Sequence, residues 1–420
     1  MNAFGLKILL FTPLFCLLDL FLLEILWKVI ISCRPKDLLS SMHHLMNPVG
    51  SNIALRPPQS IAKWIILFSV CTCVSCTQPG GAPVPLPEFV LRPTYSWVTA
   101  SPSTAGLDSS ALANHLKTNA GINSILIIKD SLLVFEYYGG NFFKENDFDI
   151  RSASKSFISA LVGIAIGKGV LDSLKQPILS FFPEFDTAGM DPRKRLITIE
   201  HLLTMRAGFD YVEGDDYSHL YTPDAQWAHV TLGLPLKFDP GSAFSYATPQ
   251  THLLSVILAK QNGLSTYEFA ETFLFQPMGI SVRDWYKDPQ GFYYGGTGMG
   301  FTARDFARLG YLFLKGGFVD GKRIVAESWI EESRKPRNLT DTQWGDLNSV
   351  NYGYQWWTAT TGADSMFMAA GYAGQFCFVI PGRSLVVVST TDSDVPIETA
   401  NTQELVVIDF LVNRVLPDIQ

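Results

Sequence analysis

Strand-like segments stand at both ends of the globular part of this sequence, and helical segments fill the stretch between them. Near the start of that part, residues 124–130 and 132–137 are apolar and predict a hairpin that turns at residues 129–131. Near its end, residues 375–380 and 384–391 are again strand-like. This order predicts an α+β fold with one antiparallel sheet assembled from the two ends, flanked by helices, plus a helical insertion.

The segment 152–166 is strongly apolar and predicts a helix. It is stopped by Gly167 and Gly169, and we expect the helix to be buried. Gly- and Pro-rich loops separate further helical segments in the middle of the domain. The other predicted helices cover residues 108–119, 199–205, 252–261, 266–275, 302–314 and 404–415.

The composition suits a folded domain with a substantial core. Of the 420 residues, 47% are hydrophobic and 17% are charged, and the net charge is −7 with both signs mixed along the chain. No basic stripe is present, so we expect no nucleic-acid partner. Of the six cysteines, only Cys377 lies in the main domain, where it can form no internal disulfide. We expect it to be a buried strand residue.

The N-terminal region predicts membrane targeting. A first apolar stretch, residues 8–31, is long enough to span a bilayer but is interrupted by three charged residues. A second stretch, residues 64–76, follows basic residues and ends in small ones, which is the layout of a secretory signal. Its end is similar to a bacterial lipoprotein signal with Cys76 as the lipidation candidate, although Cys73 stands where a leucine is usual. Two ordinary membrane helices are the alternative.

We therefore divide the chain into three parts. Residues 1–76 are the hydrophobic targeting or anchor region, and residues 77–105, rich in Pro, Gly, Ser and Thr, are a linker or an extended wrap. Residues 106–420 are the globular domain. Met42 or Met46 is an alternative start. In every case we expect an extracytoplasmic protein, anchored to the membrane by a lipid or by an N-terminal transmembrane helix.

Ser152 and Lys155 form a Ser-x-x-Lys motif at the start of the buried helix. Three residues make about one helical turn, so the hydroxyl and the ammonium share a face. A lysine desolvated against an apolar helix has a lowered pKa and can accept the serine proton. The spacing alone is a weak signal, since Ser60 and Lys63 share it, and a helix N-cap serine followed by an exposed lysine gives the same pattern.

The residues around this motif resemble the nucleophile helix of the serine β-lactamase and penicillin-binding protein superfamily. The similarity runs from Asp149 through Ser156-Phe157 and into the apolar run that follows. Three further segments match in the order of that family; they cover residues 199–208, 240–246 and 302–310. The pattern is most similar to class C β-lactamases, esterases built on that fold and nylon-oligomer hydrolases. The resemblance implies a β-lactamase/transpeptidase-like fold with Ser152 as nucleophile.

The family's second motif, Tyr-x-Asn, is Tyr246-Ala247-Thr248 in this chain. The resemblance implies that Tyr246 is a general base or proton shuttle beside Lys155. Thr248 takes a substrate-binding position that is asparagine in β-lactamases, where it binds the side-chain amide of the substrate. Its replacement weakens the expectation of β-lactam recognition.

The family's third motif, Lys-Thr-Gly or His-x-Gly, corresponds to Ala369-Ala370-Gly371. Ala369 replaces the basic residue that holds a substrate carboxylate. Gly371 is expected to leave space for a substrate along the strand, although a strand bulge explains it as well. The resemblance implies an oxyanion hole made by the backbone N–H groups of Ser152 and Tyr372.

An aromatic run at residues 352–357 precedes that strand. Such a run usually belongs to the core. The alternative is that one of its rings, for which Trp356 is the candidate, lines an apolar substrate pocket.

Other hydrolase classes lack their motifs here. No Gly-x-Ser-x-Gly elbow occurs, and the seven histidines show no metal-binding spacing, so neither a metal nor a cofactor is expected. We expect a serine hydrolase that forms an acyl-enzyme with a small-molecule ester, amide or peptide, and an esterase or amidase rather than a true β-lactamase. The alternatives are a penicillin-binding or D-amino-acid peptidase-like cell-wall protein and a non-hydrolytic ligand-binding sensor. Retention of Ser152, Lys155 and Tyr246 together favours an enzyme.

Overall fold

A computed structural model describes residues 89–420 apart from 94, 120 and 215–221. The described residues belong to one compact unit. The predicted targeting region, with Cys76, lies outside them, so its role stays a prediction. Among the described residues, no helix is both long and apolar enough to cross a membrane.

An eight-stranded antiparallel sheet forms the centre of the unit, with the strand order β2-β1-β13-β12-β11-β10-β9-β8. Strand β1 pairs with β13, so both ends of the domain contribute to one antiparallel sheet, as the sequence predicts. Two smaller sheets, β3-β5-β4 and β6-β7, lie outside it. The strands are β1 Ile122–Lys129, β2 Leu132–Tyr138, β3 Asp147–Asp149, β4 Asp284–Trp285, β5 Met299–Thr302, β6 Phe318–Val319, β7 Lys322–Arg323, β8 Asn338–Leu339, β9 Asn348–Tyr352, β10 Trp357–Thr361, β11 Asp364–Gly371, β12 Gln375–Ile380 and β13 Leu385–Thr391.

Helices cover both faces of the large sheet. They are α1 Ser109–Lys117, α2 Ser154–Gly167, α3 Ile199–Leu203, α4 Trp227–Gly233, α5 Thr248–Asn262, α6 Thr266–Ala270, α7 Gln276–Met278, α8 Ala303–Leu314, α9 Glu327–Ser333 and α10 Ile397–Phe410. The π-helical segments Glu271–Phe275 and Leu411–Val415 join α6 to α7 and follow α10.

Side chains alternate along β1 between two hydrophobic cores. Leu126 and Ile128 face the larger core, which contains α2, α5 and α8, whereas Ile125 and Ile127 face the smaller core under α1 and α10. Successive strand residues point to opposite faces of a sheet, so a strand buried on both sides is apolar throughout. The resulting three layers explain why residues 124–128 show no polar alternation beyond Ser124.

Helix α8 approaches the sheet closely at Gly310. A Cβ atom on Gly310 would lie 2.4 Å from the Cys377 sulfur of β12. Cys377 is fully buried there, as predicted, and burial raises the pKa of its thiol to about 12. A thiol in that state is a small apolar core residue.

The predicted helices differ from the observed ones mainly at their ends. The predicted segment 152–166 begins with the 3-10 turn Arg151–Ala153 before α2. The closing helix begins at Ile397 rather than at residue 404, because its first turns are largely exposed and carry no apolar periodicity.

The described part of the predicted linker or wrap, from residue 89 to 105, packs on the domain. Trp97 is buried and contacts Tyr311 edge-to-face at a centroid distance of 5.2 Å. Thr99 bridges to Leu133 of β2, so the segment extends the edge of the sheet.

Candidate active site

Ser152 lies in a 3-10 turn that leads directly into α2. The preceding residue, Arg151, has a left-handed φ of 51°, which is uncommon for a residue with a side chain. Two contacts hold it there: its backbone N–H donates to Asp149 Oδ1 at 2.8 Å, and its guanidinium donates to the Ser393 carbonyl at 2.7 Å. The turn therefore fixes the direction of the Ser152 hydroxyl, which remains partly exposed.

Lys155 is buried beneath Ser152 with only 1% of its surface exposed. Its Nζ lies 2.8 Å from Ser152 Oγ, 2.9 Å from Thr248 Oγ1 and 2.8 Å from the Gly296 carbonyl oxygen. Three acceptors match the three N–H bonds of an ammonium group. Burial lowers the pKa of Lys155 to about 8, and the nearby Glu213 carboxylate opposes part of that shift.

The Gly296 carbonyl reaches Lys155 because residue 296 has no side chain. A Cβ atom there would lie 2.3 Å from the Thr248 methyl carbon. The absence of a side chain therefore lets this segment pack directly on the first turn of α5.

Tyr246 lies beside this pair. The centre of its ring is 4.9 Å from Lys155 Nζ. Burial raises the pKa of Tyr246 well above its usual value, and the carboxylates of Glu213 and Glu404 raise it further. Tyr246 is thus held in its neutral phenol form, and its proton is harder to remove than that of an exposed tyrosine.

Thr248 does not face the substrate side of the site. It is 2% exposed and lies between Lys155 and Glu213. Its hydroxyl donates to Glu213 Oε1 at 2.6 Å, and its backbone N–H donates to Glu213 Oε2 at 2.8 Å. The sequence assigned Thr248 to substrate binding, whereas in the structure it connects Lys155 to Glu213.

Glu213 is a site residue that the sequence analysis missed. It lies in a polar loop and belongs to no recognisable motif. Its partner Thr248 is 35 positions away along the chain. No spacing signal in the sequence connects the two residues.

Strand β11 ends against the nucleophile turn. A Cβ atom on Gly371 would lie 2.2 Å from the Ile150 carbonyl oxygen and 3.1 Å from the Ala153 nitrogen, so glycine is required there. Among the described residues, the backbone N–H groups of Ser152 and Tyr372 donate to no protein acceptor. Both are therefore available for a substrate oxygen.

Two contacts fix the turn after β11. Tyr372 directs its hydroxyl to the Val395 carbonyl at 2.7 Å, so the Tyr372 side chain is anchored by this bond. The next residue, Ala373, has a φ of 68° and donates its N–H to Glu404 Oε1 at 3.1 Å. Glu404 therefore holds the backbone of the predicted oxyanion turn.

Trp356 is a core residue, as such a run usually provides, and not the pocket residue for which it was the candidate. It is 0% exposed and packs against Phe313 and Phe367 at centroid distances of 4.3 and 5.3 Å. The aromatic ring at the site is its neighbour Trp357, which is partly exposed and stacks on Tyr246 at 5.8 Å.

Ala369 lies in β11 and is fully buried. It offers no charge to a substrate carboxylate. Among the described residues, no group of three His, Cys, Asp or Glu side chains is placed to bind a metal ion.

A buried helix that begins with a serine and its lysine, beside an antiparallel sheet built from both ends of a domain, is the arrangement of the serine hydrolases with the β-lactamase/transpeptidase fold. Residues 123–410 match the beta-lactamase family, and the chain belongs to that family. It is a serine hydrolase of β-lactamase type, as its sequence predicts.

The proteins that the chain resembles include two that are named as hydrolases. The chain is 27% identical over 284 residues to a 6-aminohexanoate-dimer hydrolase of Paenarthrobacter ureafaciens. This match covers 63% of this chain and 71% of the relative. Among solved structures, the octameric penicillin-binding protein homologue of Pyrococcus abyssi has a TM-score of 0.57 at 20% identity, covering 74% of this chain and 79% of the other. EstCE1, a hydrolase with promiscuous acyltransferase activity, has a TM-score of 0.57 at 16% identity. The match covers 73% of this chain and 97% of EstCE1. At these identities the two structures show the fold alone.

Proposed function

We propose that the protein cleaves neutral carboxylic esters or small amides through an acyl-enzyme on Ser152. The observation that carries the proposal is the contact between Ser152 Oγ and a fully buried Lys155 Nζ at 2.8 Å. This distance suits direct proton transfer, and a base with a pKa of about 8 is partly neutral near pH 7.

In the first step, Ser152 Oγ attacks the substrate carbonyl carbon, and its proton moves to Lys155 Nζ. The N–H groups of Ser152 and Tyr372 stabilise the negative charge that develops on the carbonyl oxygen. The tetrahedral intermediate then collapses, and the bond to the alcohol or amine breaks. The Tyr246 phenol donates a proton to that leaving group and regains one from Lys155. Water then cleaves the acyl-enzyme, which restores Ser152.

The substrate preference follows from two contacts that the site does not offer. Ala369 supplies no cation, and loss of a charge-assisted hydrogen bond costs roughly 1.5–3 kcal/mol. The Thr248 hydroxyl is already committed to Lys155 and Glu213. Neutral esters and amides need neither contact. The relative from Paenarthrobacter ureafaciens is named for hydrolysis of an amide-linked dimer, which supports this substrate class.

A covalent probe tests the nucleophile. A fluorophosphonate should label Ser152, and Ser152→Ala should abolish labelling. Ser159→Ala is the matched control, because Ser159 lies on the same helix, is buried and has no hydrogen-bond partner among the described residues. Undiminished labelling of Ser152→Ala would contradict the proposal.

A substrate comparison tests the preference. The ratio kcat/KM for short-chain p-nitrophenyl esters should exceed that for nitrocefin by at least about tenfold, because about 1.4 kcal/mol corresponds to tenfold. An equal or higher value for nitrocefin would show that another residue supplies the missing charge. Stable labelling by penicillin without turnover would support a penicillin-binding function instead.

We also propose, from the sequence alone, that the chain is exported and anchored through Cys76. Incorporation of labelled palmitate into the wild type, and its loss in Cys76→Ala, is the expected result. A wild type that takes up no palmitate would point to a membrane helix or a cleaved signal.

A further inference from the structure

Two of the three hydrogen bonds of Lys155 have a fixed direction, those to Gly296 and Thr248. The Gly296 carbonyl oxygen can only accept a hydrogen bond. A hydroxyl group can donate or accept, so Thr248 by itself would leave the direction open. Glu213 settles it, because an ionised carboxylate accepts only and it takes both the hydroxyl proton and the backbone N–H of Thr248.

This arrangement constrains the neutral form of Lys155. A neutral amine has two N–H bonds and one lone pair. Thr248 Oγ1 and the Gly296 carbonyl oxygen each require one N–H bond, so the lone pair is left to point at Ser152 Oγ. That is the orientation in which Lys155 can accept the serine proton.

We propose that Glu213 is a positioning residue for the reaction: by binding the hydroxyl proton of Thr248, it directs the lone pair of neutral Lys155 to Ser152. The inference rests on the proposed function, in which Lys155 is the base. Without the carboxylate, the Thr248 hydroxyl can turn and donate to Lys155. The lone pair is then occupied, and Ser152 loses its base.

Glu213 also acts on Lys155 through its charge. The titratable groups that face Lys155 among the described residues are Glu213, from the segment that follows α3, and Tyr246, from the segment before α5. The Glu213 carboxylate raises the pKa of Lys155, while burial lowers it. Glu404 acts on Tyr246. Removal of the Glu213 charge should therefore lower the pKa of Lys155 further.

The test is the pH dependence of Ser152 acylation in Glu213→Gln. Glu213 is exposed, so the substitution leaves no cavity in the core. A glutamine amide can donate to the Thr248 hydroxyl, which frees that hydroxyl to donate to Lys155. We expect the plateau rate constant of ester acylation at high pH to fall about ten- to a hundredfold, the range for one charge-assisted hydrogen bond. We expect the acidic limb of the profile to move to lower pH.

The direction in which the acidic limb moves distinguishes the loss of a positioning residue from general damage to the site. If the substitution merely loosened the site, water would reach Lys155 and its pKa would rise towards the ordinary value, which moves the limb to higher pH. Asp210→Asn is the matched control: it removes one exposed negative charge from the same loop, and Asp210 makes no side-chain contact with Thr248. The plateau rate constant of Asp210→Asn and the pH of its acidic limb should equal those of the wild type.

Threonine variants provide the second measurement. Thr248→Val removes the hydroxyl and should lower the plateau rate, whereas Thr248→Ser restores the hydroxyl and should recover most of it. A Glu213→Gln profile that coincides with the wild type, or a limb that moves upwards, overturns the inference while leaving Ser152 acylation in place. A wild type that no ester or fluorophosphonate acylates overturns the proposed function and this inference with it.

Discussion

Lowering the pH below 8 should slow acylation of Ser152, because it protonates the base. Burial lowers the pKa of Lys155 from 10.5 to about 8. Each pKa unit is worth about 1.4 kcal/mol, so burial lowers the free energy of deprotonation by about 3 kcal/mol. At pH 7 about one Lys155 in ten is neutral, against about one in 3,000 for a lysine with the ordinary pKa. Burial therefore increases the reactive fraction about 300-fold.

The assay is the second-order rate constant for labelling by a fluorophosphonate, measured from pH 5.5 to 10 in steps of about half a pH unit. A probe without a titratable group keeps the profile free of substrate ionisation. The logarithm of the rate constant should rise with a slope of about one up to pH 8 and then level off. Circular dichroism at each pH shows whether the fold is retained.

Two results would refute the reasoning. A rate that is flat between pH 6 and 9 would show that no group with a pKa of about 8 controls the reaction, so Lys155 would not be the base. A limb that extends to the ordinary lysine pKa would show that Lys155 is hydrated in solution, in conflict with its burial.

Four substitutions test other parts of the structure. Gly371→Ala should leave the domain folded but nearly abolish probe labelling, because its Cβ would lie 2.2 Å from the Ile150 carbonyl oxygen. Trp356→Ala should lower the free energy of unfolding by about 3–5 kcal/mol in denaturant titrations, since it empties a core position, whereas Trp357→Ala should mainly raise KM for esters. Asp305→Asn should raise stability at pH 8 by up to about 3 kcal/mol, because burial raises the pKa of Asp305 to about 6 and the ionised form is disfavoured in the fold. Thermal melts should show this gain shrinking as the pH falls towards 4, where the carboxyl is protonated in the native state.

The sequence predicts the architecture well where the apolar pattern is strong. The hairpin at 124–137 and the strand at 375–380 are buried over most of their length, so their apolar runs are unbroken. The helix at 397–410 was predicted too short, because its first turns lie at the surface and carry polar residues. Apolar residues recur with helical periodicity only where one face of a helix is buried, so an exposed helical turn shows no such pattern.

The aromatic run shows why the pocket residue was misassigned. In a regular strand, Trp356 and Trp357 point to opposite sides, and the sequence does not show which side faces the site. The register is set just before them by Gln355, whose φ is 60°. Gln355 is held in this conformation by bonds to the Leu202 and Leu203 carbonyls and to Thr251. Such contacts between distant segments leave no local pattern in the sequence.

The contact between Glu213 and Thr248 likewise leaves no local pattern in the sequence. The threonine that stands at residue 248 in place of the family's asparagine gives a physical reason for the presence of Glu213. An asparagine that turns its carbonyl oxygen to Lys155 can only accept a hydrogen bond there, and it has no hydroxyl proton that needs an acceptor. A threonine hydroxyl can also donate, and it requires an acceptor for its proton. Glu213 provides that acceptor at 2.6 Å.

If the two residues depend on each other in this way, Thr248→Asn should make the plateau rate constant of acylation nearly independent of Glu213. We expect Glu213→Gln to lower the plateau rate constant about ten- to a hundredfold in the wild type but less than about threefold in the Thr248→Asn background, a coupling that a double-mutant cycle measures directly. The acidic limb should still move to lower pH in both backgrounds, because the charge of Glu213 acts on Lys155 whether residue 248 is threonine or asparagine. Equal losses in the two backgrounds would show that Glu213 supports the site by its charge alone and that the hydroxyl of Thr248 has no directing role.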